Sequence, residues 1–135
     1  MDSVPSFQPC QIVCLEHEDF RLYGEVIQIV QERQVCWVRP LGLIVLTADP
    51  ADSLTWQERF TAGAFVLHDL REGADLLWPA SLFRPALDTE VMPILMQLYN
   101  AEIQTKPDRT ARQKLNSFVQ EVWQANANVF QAQMP

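Results

Sequence analysis

The stretch FRLYGEVIQIVQERQVCWVRPLGLIVLTA, residues 20–48, decides the fold class. β-branched and aromatic residues dominate it, and these fit a pleated, half-buried surface. Three strands are expected. The first carries Leu22, Val26 and Ile27 with Ile29 and Val30, and is broken by Gly24. A polar turn, Glu32-Arg33-Gln34, leads to the second, Val35, Cys36, Trp37 and Val38. The third spans residues 41–46. Pro40 between them marks a strand break, a bulge or an edge, because proline donates no ladder hydrogen bond. The pattern predicts a small, curled antiparallel sheet, a scaffold that serves binding more often than catalysis.

Further strands flank this block. Residues 10–15 alternate imperfectly and are expected to form a strand that ends in the polar turn 16–19. ADPADS, residues 48–53, is a loop. Residues 54–60 fit both a strand face, through Leu54, Trp56 and Phe60, and a helical turn, through Trp56 and Phe60 at i,i+4. Residues 64–70 and Leu76-Leu77-Trp78 read as two more strands, with a turn at residues 71–73 between them and a stop at Pro79. Residues 81–85 fit one helical turn.

The chain then changes period. Asp88 is a plausible N-cap, and Val91, Ile94, Leu95, Leu98 and Tyr99 follow the helical template to about residue 102. Pro93 inside this run argues for a regular helix beginning at Pro93 itself. Residues 104–107 read as a linker and Asp108 as a second cap. Leu115, Phe118, Val119, Val122 and Trp123 repeat the template, which Val129 or Phe130 extends. Strands first and helices after mean α+β, without βαβ crossovers. The expected architecture is a single domain over residues 1–135: a small SH3-like or similar partly open β-barrel (10–86), then two amphipathic helices (88–130). Buried positions include Trp37 and the face Leu115, Phe118, Val122 and Trp123.

With 135 residues, 48% hydrophobic content and four Trp, the core needs neither disulfide nor metal. The net charge of −7 repels nucleic acid and anionic membrane surfaces as a whole. Three Cys, an odd count, point to free thiols in a reducing compartment. MDSVPSFQPC has neither a basic nor an apolar leader region, so no signal peptide is expected. The longest apolar run falls far short of the ~20 residues that span a bilayer. A cytoplasmic protein without membrane insertion is expected.

Cys10, Cys14 and Cys36 with His17 and His68 could be imagined as a zinc site, but their places on apolar strands favour small core hydrophobes. Cys14, His17 and Asp19 are near in sequence without a glycine-rich elbow or helix N-terminus to activate the thiol. No phosphate-binding or metalloprotease motif occurs, and the 17 carboxylates stand singly on turns. No catalytic residue, cofactor or metal ligand is assigned. Lys106, Arg109, Arg112 and Lys114 form the one local charge reversal, either a docking patch or a solvated turn. Trp56 and Phe60 follow an acidic loop and are candidate interface anchors. Trp56, Phe60, Arg109 and Arg112 are therefore the candidate partner-binding residues.

The runs CLEHEDFRLYGEVIQIVQERQVCWVRPLGLIVL (14–46) and DLLWPASLFRPALDTEVMPIL (75–95) resemble a family of small cyanobacterial-type proteins, over about residues 8–98. The resemblance implies no activity, cofactor or catalytic residue. It makes a role beside the large complexes of a photosynthetic organism worth testing. The function expected is a protein–protein interaction module without enzymatic activity: an adaptor, assembly factor or accessory subunit. The alternative is a nucleic-acid-binding small barrel, favoured locally by the basic cluster and opposed by the net charge.

Overall fold

The computed structural model describes residues 7–47, 55–61, 63–101 and 109–133. Strands β1 (Ile12–His17), β2 (Phe20–Val30) and β3 (Val35–Leu46) come first. Helix α1 (Trp56–Thr61), strands β4 (Phe65–Asp69), β5 (Leu76–Pro79) and β6 (Arg84–Pro85), and helices α2 (Asp88–Ala101), α3 (Arg109–Ala125) and α4 (Ala127–Gln133) follow. The strands form one antiparallel sheet in the order β4-β3-β2-β1-β6, with β5 also on β3. The sheet is not closed. The molecule is thus α+β, with the short α1 between β3 and β4 and helices α2, α3 and α4 after the last strand.

The deciding block is two long strands rather than three. Residues 35–46 run through Pro40 as the single strand β3. Two bulges permit this. Leu41 is an extra residue on β3, between the pairs Tyr23–Gly42 and Gly24–Pro40. Ile27 is an extra residue on β2, between Val26–Val38 and Gln28–Trp37. A proline is tolerated at such a site because the ladder is already interrupted there. Gly24 is required opposite it: a Cβ at this position would collide with Cγ1 of Val38 and lie 3.1 Å from the carbonyl oxygen of Arg39. The β2–β3 ribbon is joined by a 3-10 turn, residues 31–33, which ends at Gln34 in the left-handed region with φ 56°. β4 pairs with β3 on one side of Pro40 and β5 on the other.

Both faces of the sheet are apolar. One carries Val13, Leu15, Leu22, Val26, Cys36, Val38 and Leu43, and packs with Leu115, Phe118 and Val122 of α3 and Phe130 of α4. The other carries Cys14, Tyr23, Ile44 and Leu46, and packs with Val91, Ile94 and Leu98 of α2 and with Trp56 and Phe60 of α1. The bulges keep each face in register: Leu22, Val26 and Ile29 share a side although the period-two count changes at Ile27. A one-residue slip would turn every side chain over, so the bulges are part of the core design.

Several expectations are corrected. The first strand begins at Ile12, because Cys10 has φ 71° and lies exposed before it. Residues 54–60 resolve as the helix α1 from Trp56; Leu54 lies outside the described residues. Residues 80–82 form a 3-10 turn and Arg84–Pro85 pair with β1, so residues 81–85 are not one helical turn. Helix α2 begins at Asp88 and contains Pro93. The proline is exposed on the second turn, so the missing donor leaves the acceptor of exposed Thr89 to solvent. Trp37 and Trp123 were both expected in the core, and both are exposed, 37% and 47% respectively. For Trp37 the reason is that α1 and α2 cover only the other end of its sheet face. Trp123 falls off the buried stripe Leu115, Phe118 and Val122, and the Phe130 ring lies tilted beside it at 40°, 6.1 Å between centroids. The extended tail expected over residues 1–9 is packed at its described end, where Phe7 is buried in the core and the Gln11 N–H donates to the Gln8 carbonyl at 3.1 Å. Residues 1–6, the loop 48–53, the linker 104–107 and the cap Asp108 lie outside the described residues.

Gly24→Ala is expected to lower the unfolding free energy by about 1–3 kcal/mol, the range for overpacking a tight site. Phe118→Ala, which empties a fully buried position, should cost ~3–5 kcal/mol. Denaturant titrations of both variants check these values.

Candidate interaction surface

The structure joins Trp56 to Phe60. They lie one turn apart on α1, ring centroids 5.2 Å apart and nearly parallel at 18°. Phe60 continues the stack onto Phe65 of β4 at 4.6 Å. The guanidinium of Arg21 lies 3.5 Å from the Trp56 ring centroid, a cation–π contact. The short helix is held by its cap, where the Glu58 backbone N–H donates to the Thr55 hydroxyl at 3.1 Å. Arg59 ties it to the sheet through Asp19 at 3.2 Å and the Thr47 carbonyl. Trp56 and Phe60 are therefore half-buried and serve the core on their inner sides.

The basic pair is elsewhere. Arg109 opens α3, and its side chain lies outside the described residues, as does Lys106; Arg112 and Lys114 are exposed on α3. That helix covers the sheet face opposite the Trp56 stack.

The thiols do not converge on a site. Cys14 and Cys36 are buried on opposite faces, and Cys10 is exposed. Burial pushes the Cys14 thiol up to about 12 and Cys36 to about 11, so both remain protonated and inert at neutral pH. His17 lies edge-on to Phe118, 6.4 Å between centroids, on the face away from Cys14, while Asp19 is engaged by Arg59. Among the described residues no group of three or more His, Cys, Asp or Glu is arranged to hold a metal. Arg84 is the hub of the polar contacts here: it reaches Glu16 at 2.7 Å, Glu90 at 3.0 Å and the Pro85 carbonyl at 3.1 Å.

These contacts anchor α2, whose surface the sequence pattern did not single out. Arg84 holds Glu90 in its first turn. At the other end Arg71 donates to the Leu98 carbonyl at 2.8 Å, one of the last carbonyls of the helix, where a cation also complements the dipole. Asp69 grips the same guanidinium at 2.6 Å, and this bond holds the Asp69 carboxyl below its usual range. Val91, Ile94 and Leu98 point into the core. Met92, Leu95, Met96 and Tyr99 do not, and with Asn100 they line a shallow groove. Their exposures are 56%, 37%, 62% and 68%. At 3.6 residues per turn, apolar side chains occupy roughly 200° of the helix circumference. A single core-facing stripe needs only about 100°.

A second apolar patch lies on the sheet. Trp37 of β3 and Leu77 of β5 are directly paired, and both are exposed. The Trp37 indole N–H donates to Asp75 at 2.8 Å, and Arg39 reaches the same carboxylate at 3.3 Å. These two bonds, the indole's first, hold Asp75 below the usual carboxylate range.

Comparison with family models, curated proteins and solved structures finds no match. Among the described residues no helix is long and apolar enough to cross a membrane.

Thiol titration checks the burial of the cysteines. One thiol per chain, Cys10, is expected to react rapidly in the native protein, and all three in denaturant. Rapid native reaction of two or three would contradict the assigned faces.

Proposed function

We propose that this chain is a non-enzymatic protein–protein interaction module: an adaptor, assembly factor or accessory subunit built on a curled, SH3-like, partly open barrel. The observation that carries the reading is the two-sided apolar surface of α2. A helix that is apolar over most of its circumference is ordinarily covered on all of it. Here Arg84 and Arg71 fasten one side to the sheet, and Met92, Leu95, Met96 and Tyr99 face solvent. Contiguous exposed apolar surface of this kind marks interaction sites. The Trp37–Leu77 patch supplies a second surface, as an adaptor requires, and the solvent side of the Trp56–Phe60 stack is a third place for contact. Three free cysteines accord with action in the cytoplasm. The resemblance to small cyanobacterial-type proteins makes components of large photosynthetic complexes the first partners to test. Nucleic acid is the alternative: exposed Arg112, and Arg109 beside it in sequence, favour it, and the net charge of −7 opposes it.

Capture from the native host with wild-type and Met96→Glu bait tests the proposal. The variant, altered at an exposed position, is expected to keep its stability within ~0.5 kcal/mol and to lose the retained protein. Equal retention by both baits would contradict it. So would tight, salt-sensitive RNA or DNA binding that Arg109→Ala and Arg112→Ala abolish.

A further inference from the structure

We infer that the outer face of α2 docks on the same face of a second copy of this chain, giving a two-fold symmetric dimer with the two helices antiparallel. The inference rests on the reading of that face as a docking surface and names its occupant. Its basis is the spacing of the exposed apolar residues. Met92, Leu95, Met96 and Tyr99 lie at i, i+3, i+4 and i+7. That spacing is symmetric about its own midpoint, between Leu95 and Met96. Two-fold association requires a self-complementary patch, in which each residue's mate contacts it in return. Antiparallel pairing about the midpoint sets Leu95 against Met96 of the second copy at the centre. It sets Met92 against Tyr99 at each end, a thioether against an aromatic ring, which is a favourable contact.

Charge and area agree with this occupant. From Val91 to Asn100 the helix has no charged residue, so nothing on the strip repels its copy or selects a charged partner. Four side chains that expose on the order of 100 Å² each give about 400 Å² per copy, near 800–1,000 Å² for the pair with its rim, the lower limit for a specific interface. A weak dimer follows, with Kd on the order of 10–100 μM. Each copy carries a charge of −7, so added salt should screen the repulsion and tighten the dimer, by roughly threefold or more between 50 and 500 mM NaCl.

Sedimentation velocity on the full chain, from low micromolar to millimolar, reads this directly. The expected result is a monomer–dimer equilibrium that strengthens with salt and weakens at least tenfold in Met96→Glu. A register test accompanies it. Met92→Lys alone and Tyr99→Glu alone should be monomeric, and a 1:1 mixture of the two should dimerise, since one end of the mixed pair then holds Lys against Glu and the other the native Met–Tyr contact. Circular dichroism of each variant confirms that it is folded. A chain that stays monomeric to millimolar concentration in high salt overturns the inference, as does a mixture no more dimeric than its components. If the chain is monomeric and Met96→Glu still loses a captured protein, the dimer is wrong and the interaction module stands. If Met96→Glu affects neither, both fall.

Discussion

Everything in this fold hangs on the close pairing of β2 and β3 where Gly24 faces Pro40. The ribbon there has no room for a Cβ at residue 24, because Val38 fills the space. Leu41 and Ile27 bulge out on opposite strands, either side of that point. The two bulges compensate one another in register. Leu22 therefore meets Leu43, and Val26 meets Val38, on a single face of the sheet. Without them, the residues before and after Pro40 would send their apolar side chains to opposite sides.

A sheet that is apolar on both faces needs two covers. Helices α3 and α4 supply one, with Phe118 and Val122 fully buried. The other is thinner, made by the short α1 and by α2. It stops before the far half of β3, and Trp37 and Leu77 are left at the surface. Apolar packing holds α2 on one side only, and the arginines Arg84 and Arg71 secure it near its two ends. A helix so restrained presents its remaining apolar side chains as a fixed surface, which lowers the ordering cost of binding.

The strands were legible where alternation was unbroken. β4 and β5 fell within a residue or two of their expected ends, because glycine, proline and charged turns bracket them. The 35–46 run was misread as two strands because Pro40 looks like punctuation in isolation; only the pairing with Gly24 shows that a bulge absorbs it. The interaction surface was hidden for a related reason. Val91, Ile94, Leu95, Leu98 and Tyr99 were read as one stripe, whereas Leu95 and Tyr99 turn outward with Met92 and Met96. The signal was present: seven apolar residues and a proline in VMPILMQLY exceed what one face can hold. Trp37 was misplaced because a strand residue's burial depends on what covers its end of the sheet, which periodicity does not encode. For Trp56 and Phe60 the spacing leaves a strand face and a helical turn equally open, and the helix decides it. The Arg21 contact and the continuation to Phe65 join residues distant in sequence, which spacing does not encode.

The functional proposal needs α2 to be firmly docked and half uncovered at the same time. Methyl-resolved NMR of the dilute chain with a soluble paramagnetic probe measures both. The expected result is strong broadening of the Met92 and Met96 methyl signals, with the Ile94 and Leu98 methyls on the same helix unaffected. Shielded Met92 and Met96 methyls, or broadening of all four residues alike, would contradict the account: the first means that the face is already covered, the second that the helix is not held on the sheet.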